Sequence, residues 1–346
     1  MKALTVVPGK QGSAALEDVA EPARDEGAVL VQGLEVGICG TDAEIVAGDY
    51  SVAPPGSDRL VIGHESLGRV VEGAGGVAEG DLVVGIVRRP DPVPCGACAA
   101  GEWDLCRNGQ YTEHGIKGLH GFARERWRAE PDALVTLPAD LRDVGVLLEP
   151  TTIVAKAWEQ VERIGSRAYW EPRTVLVTGA GPVGLLGALL ARARGYDVHV
   201  LDRATDGPKP ELVEALGATY HAGTLPQARL EADVVLECTG ANQVVADALV
   251  HNAADGIVCL LGVSPLGRPF TLDLGGVNRE MVLENDVVFG SVNANRRHYE
   301  AGVAALAAAD RDWLRRLITR RVPLADFAGA LDRRPDDIKV VLGIGA

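Results

Sequence analysis

Cys39 and His64 are the first residues in this chain whose types and company suggest chemistry. Each alone has a plainer explanation, since a lone cysteine is more often a buried apolar residue and a lone histidine a satisfied polar one. They stand, however, in glycine-containing segments with acids and a hydroxyl, Gly37-Ile38-Cys39-Gly40-Thr41-Asp42 and Gly63-His64-Glu65. Thiolate, imidazole and carboxylate are the common zinc donors, and a catalytic zinc takes three of them and keeps one position open. The third donor must come from further along, and Glu149 is the candidate. Three of the six cysteines, Cys95, Cys98 and Cys106, form a separate cluster that suggests metal before disulfide in a chain of this length.

A different chemistry is written between Thr174 and Asp202. The β-branched run Thr174-Val175-Leu176-Val177-Thr178 ends in Gly179-Ala180-Gly181-Pro182-Val183-Gly184, a GxGxxG turn. A helix-length apolar stretch, 183–193, closes at Gly195, and a strand at 198–201 delivers Asp202. This is the dinucleotide fingerprint in its full context. Gly179 permits the tight turn, Gly181 lets backbone approach a pyrophosphate, Gly184 lets the helix pack on the strand, and the helix start offers free N–H groups. Asp202 would accept the adenosine ribose hydroxyls and repel a 2′-phosphate, which favours NAD, although Arg203 could pair with that phosphate and admit NADP as the weaker alternative. Thr239-Gly240 and Gly262-Val263, at strand C-terminal ends, mark where the nicotinamide half should lie.

These residues need two scaffolds to hold them. At 346 residues two domains are expected, 1–155 with 294–346 and 156–293. Residues 1 to 90 read as a glycine-rich, barrel-like β domain without a second fingerprint. Beyond 174 strands alternate with helices (strands at 233–238 and 256–262, helices at 210–217 and 242–252), which indicates a doubly wound α/β sheet. Helices at 296–309, 312–319 and 324–331 precede a last strand at 338–342. Cys238 and Cys259 fall in apolar strands and read as small buried hydrophobes. The balance of 34 basic against 48 acidic residues, net −14, argues against nucleic acid or anionic membrane as a partner. No apolar run reaches the length of a membrane span, and 1–7 reads as a strand, not a signal peptide, so a cytoplasmic protein is expected.

In this order, Gly-x-Cys-Gly-Thr-Asp, Gly-His-Glu, a cysteine lobe and a Rossmann fingerprint resemble the zinc-dependent medium-chain alcohol dehydrogenase superfamily over essentially the whole chain. Longer stretches narrow the similarity to the glucose (aldose) dehydrogenases of archaea: Glu113-His114-Gly115-Ile116, His120-Gly121-Phe122, Leu148-Glu149-Pro150, Arg279-Glu280-Met281-Val282-Leu283 and Gly290-Ser291-Val292-Asn293. The resemblance implies a GroES-like β-rich catalytic domain beside a Rossmann coenzyme domain. It implies a catalytic zinc held by Cys39, His64 and Glu149, with Glu65 beside the metal and able to approach it. A bound zinc acidifies a sugar hydroxyl, and hydride then passes to the nicotinamide. Thr41 would begin a proton relay to solvent, where the plainer reading is a turn hydrogen bond. Glu113 and Asn293 match positions that hydrogen-bond sugar hydroxyls, with Asn293 also at the coenzyme, while His114, His120, Asn295 and His298 read better as structural.

Two features depart from the family pattern. Relatives with a structural zinc carry four cysteines in the lobe; here the first is missing, and Asp91 could complete the set with Cys95, Cys98 and Cys106. The alternative is a metal-free lobe held by packing. Some relatives carry a further acid just after the glutamate, where this chain reads Pro150-Thr151-Thr152. The expected activity is oxidation of a glucose-like aldose at C1 to the lactone. Its rivals are oxidation of another polyol or amino-sugar hydroxyl, and a non-catalytic NAD-binding protein on the same scaffold. By resemblance the strand at 287–292 lies at a sheet edge and pairs across a two-fold axis, giving a homodimer or homotetramer.

Overall fold

In the computed structural model, which describes residues 1–346 apart from Leu266, Arg268 and Ala346, the chain forms two compact units. Met1–Glu149 belongs with Asn293–Ala346, and Pro150–Val292 stands by itself. The helix Leu148–Gly165 begins at the first boundary, so the crossover falls at a helix start, where the sequence reading had set it at 155/156.

The central element of the first unit is the strand Val29–Ile38, in a seven-stranded sheet ordered Leu134–Leu137, Leu82–Gly85, Glu65–Glu72, Val29–Ile38, Lys339–Gly343 and Ile318–Pro323, with Arg126–Ala129 also paired to it. Val29, Val31 and Val36 are buried in a core with Leu4, Phe122, Trp127 and Leu342; the alternation holds over the first half of the strand and breaks after a register shift between Gly33 and Glu35. The register sets Gly37 opposite Glu65 and Ile38 opposite Val340. The central strand therefore delivers Cys39 between two neighbours that carry Glu65 and Lys339. Gly37 is needed there, because a Cβ would collide with the Glu65 carboxylate. Ile318–Pro323, part of it expected as helix, is a strand paired parallel to Lys339–Gly343.

The second unit is a six-stranded, all-parallel sheet ordered Thr219–Ala222, Asp197–Asp202, Thr174–Thr178, Ala232–Glu237, Asn252–Leu260 and Val287–Gly290. Its strands are apolar runs with Leu176, Val235 and Val258 fully buried, as a sheet covered on both faces demands. The order reverses beside Thr174–Thr178, the switch point at which such sheets bind ligands. Val287–Gly290 forms one edge. Among the described residues no helix is long and apolar enough to cross a membrane.

Candidate active site

The helix Gly40–Ala47, which the polar and glycine content of its first residues had hidden, starts immediately after Cys39. Cys39 is its N-cap: the sulfur accepts the Thr41 N–H at 3.2 Å, while Asp42 accepts the Cys39 N–H at 3.0 Å. The thiol is thus aimed by its own helix. Sγ lies 3.1 Å from His64 Nε2, and the opposite ring nitrogen, Nδ1, is 3.4 Å from the fully buried Asp42 carboxylate. A carboxylate on that side favours a proton on Nδ1 and turns Nε2 toward the thiol. Burial works against a charged imidazole, but the Cys39 and Asp42 charges outweigh it and raise the His64 pKa well above its ordinary value.

Donor atoms of Cys39, His64 and Glu65 all lie within 4.8 Å of one another. Glu65 is 2 % exposed and both its oxygens are held by Lys339 Nζ, at 2.7 and 2.5 Å; the third ammonium donor goes to the Ile38 carbonyl at 3.1 Å. Glu149 stands outside this tight cluster, yet close enough to feel His64, Glu65, Lys339 and Asp42. Burial pushes its carboxyl up to about 7, against the pull of His64. A thiol, an imidazole nitrogen and a buried carboxylate within 4.8 Å of one another, with a further buried acid near enough to sense them, fit a zinc ion. Thr41 lies two residues from the thiol, and the half-exposed Tyr50 hydroxyl is in hydrogen-bond relation with it.

The sugar candidates are also together. Asn293 Nδ2 donates to Glu113 Oε1 at 2.7 Å, and Arg88 donates to the same oxygen from Nε at 3.0 Å. Arg88 in turn lies 3.7 Å over the Tyr111 ring and reaches the Asp104 carbonyl. Each of the four residues read as structural has such a bond. His114 Nδ1 meets the His120 carbonyl at 2.8 Å, and burial lowers its pKa to about 4. His120 accepts the Val61 N–H, Asn295 donates to Asp104, and His298 accepts the Asn295 N–H.

In the cysteine lobe the three sulfurs lie within 4.8 Å of one another. Asp91 is 3 % exposed; Oδ1 accepts the Val93 N–H at 2.8 Å and Oδ2 is 3.8 Å from Cys106 Sγ. One oxygen fixes the loop and the other faces the thiols, an arrangement that fits a fourth donor. The Arg107 N–H, 3.3 Å from Cys95 Sγ, lowers that thiol's pKa to about 6.

In the second unit the three fingerprint glycines separate by cause. Gly179 has φ +87°, and a Cβ at Gly184 would collide with the Gly179 carbonyl, so the fold itself requires both. A Cβ at Gly181, the N-cap of the helix Pro182–Ala193, would meet nothing within 4 Å. Its smallness serves something outside the chain, and open space at a helix start that leads with Pro182 and Val183 fits a pyrophosphate. Thr239-Gly240 is ordered by Glu237, a fully buried acid at the end of its strand: it accepts the Thr239 N–H at 2.8 Å, the Gly240 N–H at 3.1 Å, and the Thr239 hydroxyl. Gly262 packs against Gly240, where any Cβ would collide, and Val263 beside it is 75 % exposed. Asp202 differs from expectation in its company, because Lys209 and three backbone N–H groups already hold it.

Sequence reading missed Asp42, Lys339, Arg88, Tyr50, Glu237 and Lys209. Two carried a legible signal, a charge inside or ending an apolar strand run: Lys339 in Ile338-Lys339-Val340-Val341 and Glu237 after Val234-Val235-Leu236.

A β-rich unit with a thiol–imidazole–carboxylate cluster and, in the same chain, a parallel sheet with a nucleotide fingerprint define a zinc-type medium-chain dehydrogenase. Comparison with known proteins agrees. Residues 25–139 match the alcohol dehydrogenase GroES-like domain, and residues 142–344 match the glucose dehydrogenase C-terminus. The chain is 41% identical to a glucose 1-dehydrogenase of Methanocella arvoryzae, with 100% of both chains covered, and 44% identical to glucose 1-dehydrogenase 1 of Caldivirga maquilingensis, with 99% of both covered. A solved glucose dehydrogenase of Haloferax mediterranei, in complex with NADP, Zn and gluconolactone, superposes with a TM-score of 0.92 at 32% identity over 100% of both chains. The chain belongs to the glucose dehydrogenase family within the zinc-dependent medium-chain alcohol dehydrogenases.

Proposed function

We propose that this chain oxidises an aldose of the glucose type at C1 to its lactone, passing hydride to NAD or NADP. The observation that carries the reading is the Cys39–His64–Glu65 cluster with Glu149 beside it, which a purely nucleotide-binding protein would not need. Cys39, His64 and Glu149 would hold the catalytic zinc, with Glu65 able to approach it; Asp91, Cys95, Cys98 and Cys106 would hold a structural one. When bound, the catalytic zinc supplies Lewis acidity to the reacting hydroxyl, and the coenzyme supplies the hydride acceptor.

The chain's own residues do the rest. Asp42 orients the His64 ring and the Cys39 backbone together, so one buried acid fixes two donors. Lys339 holds Glu65 to one side and offsets the negative charge of the cluster. Thr41 relays the hydroxyl proton, accepting it as its own hydroxyl proton passes on toward solvent, and Tyr50 is its next polar neighbour. Glu113, held by Arg88 and Asn293, offers its remaining carboxylate capacity to sugar hydroxyls, and Asn293 also serves the coenzyme. In the second unit Gly179, Gly181, Pro182, Val183 and Gly184 receive the pyrophosphate. Asp202 and Arg203 form the corner that faces the adenosine end, and Thr239, Gly240, Gly262 and Val263 serve the nicotinamide half.

Residues 1–149 with 293–346 act as the catalytic, zinc-binding domain and 150–292 as the coenzyme domain. The open edge Val287–Gly290, with Leu274, Val282, Leu283 and Val292 exposed nearby in sequence, supports a homodimer or homotetramer, and the compartment we propose is the cytoplasm. A second reading, another polyol or amino sugar as substrate, is favoured only by Pro150-Thr151-Thr152 where some relatives carry an acid. A substrate panel of aldoses, alditols and amino sugars separates the two: turnover on aldopyranoses with a lactone product supports the first, and turnover confined to alditols with a ketone product overturns it.

A further inference from the structure

Asp202 ends the strand Asp197–Asp202, where the proposed coenzyme reading puts the adenosine ribose, and its carboxylate is already engaged within the chain. Oδ2 accepts the Ala180 N–H at 2.7 Å. Oδ1 accepts the N–H groups of Arg203 at 2.8 Å and Ala204 at 3.1 Å, and Lys209 Nζ lies 3.1 Å from both oxygens. A carboxylate has about four lone-pair sites, so these partners leave little for a ribose diol. The pair is also sheltered, with the Lys209 and Asp202 side chains 16% and 14% exposed. Its geometry is fixed on both sides: Gly207, at φ +83°, turns the chain back into the helix Pro208–Ala215 that carries Lys209, and Tyr220 donates to the Ala204 carbonyl at 2.7 Å. Arg203 is exposed, as is Asp206, whose carboxylate takes the Thr205 hydroxyl at 3.5 Å.

We infer that Lys209 is the residue that sets coenzyme discrimination: by neutralising Asp202 it removes the repulsion toward a 2′-phosphate, and its ammonium, with Arg203, receives that phosphate, so the chain takes NADP as readily as NAD. The inference rests on the coenzyme reading of 179–202. An acid alone at this position repels the phosphate, and a lysine paired with it weakens that repulsion.

The test is titration of the purified full-length protein with NADH, NADPH, ADP-ribose and 2′-phospho-ADP-ribose, followed by calorimetry and coenzyme fluorescence at two salt concentrations. The wild type should bind NADPH and NADH within about tenfold of each other, with NADPH the more salt-sensitive. Lys209→Met should lose NADPH affinity by about 10- to 100-fold while NADH stays within roughly twofold, because it removes an attraction and restores a repulsion together. Lys209→Arg, with the charge kept, should retain NADPH, and thermal melts of both variants report on folding. Equal losses for both coenzymes in Lys209→Met, or wild-type NADPH binding more than about 100-fold weaker than NADH, would overturn the inference alone. Failure of the wild type to bind any of the four compounds would overturn the coenzyme reading, and this inference with it.

Discussion

Removing the Lys339 ammonium should be among the most destabilising single changes in the first unit. Lys339 is 1 % exposed, and its three donors are used on Glu65 Oε1, Glu65 Oε2 and the Ile38 carbonyl. Lys339→Met keeps the stem and removes the charge, leaving Glu65 buried and uncompensated. Breaking a buried pair in this way costs about 3–5 kcal/mol. For a chain of this size that corresponds to a fall in Tm of roughly 4–7 °C. The companion variant Glu65→Gln with Lys339→Met removes both charges, and should return to within about 1 kcal/mol of the wild type, since a neutral replacement of a buried pair is seldom costly. The assay is urea denaturation with scanning calorimetry, in chelator throughout, so that stability and metal binding are separated. If Lys339→Met melted with the wild type, or the double variant were as unstable as the single, the pairing argument would be wrong.

Other expectations follow from the same contacts. Gly181→Ala should leave Tm unchanged, because its Cβ meets open space, while weakening coenzyme binding by roughly ten- to hundredfold; Gly184→Ala, which collides with the Gly179 carbonyl, should instead destabilise by about 1–3 kcal/mol. Thr41→Val should lower kcat by about 10²–10⁴ with coenzyme affinity intact, and Thr41→Ser should keep most of the activity, both read by steady-state kinetics beside a binding titration. Asp91→Asn should lose the lobe's metal while the Cys39 site keeps its own, which metal analysis of the dialysed protein would report. Hydrogen bonding from Arg320 holds the Asp337 pKa below its ordinary value, with burial opposing. That stability is present above the unfolded carboxyl pKa and is lost as pH falls through the lower folded value. Asp337→Asn should therefore cost about 2 kcal/mol near neutrality, and the gap from wild type should close below about pH 4 in an acid-denaturation series.

The parts of this molecule legible in its sequence are those where local geometry dictates residue type. A tight βα turn, a helix packed on a strand and a phosphate approach each demand glycine, so Gly179, Gly181 and Gly184 declare themselves at fixed spacing. Cys39, His64 and the Cys95–Cys98–Cys106 cluster were legible because few other chemistries use those residue types in company. What stayed hidden depends on pairings between strands distant in sequence. Lys339 meets Glu65 only because the last strand lies beside the first long one, and nothing local to either residue encodes that register. Arg88 on Glu113 and Lys209 on Asp202 were hidden for related reasons, the first arising in a three-stranded sheet of very short strands, the second across a turn set by Gly207. The helix Gly40–Ala47 was missed because Gly40, Thr41 and Asp42 are poor interior helix formers, yet Cys39 and Asp42 cap it.

The central claim is that this chain is a metal-requiring aldose dehydrogenase, and the most direct measurement follows reduced coenzyme formation on glucose with zinc-loaded, metal-stripped and zinc-restored protein, with the product identified by NMR. The account predicts gluconolactone formation with NAD or NADP, loss on stripping, recovery with zinc, and no recovery in Cys39→Ala. Turnover of glucose by the metal-stripped protein, or a zinc-loaded protein that binds coenzyme but oxidises no aldose, would contradict it.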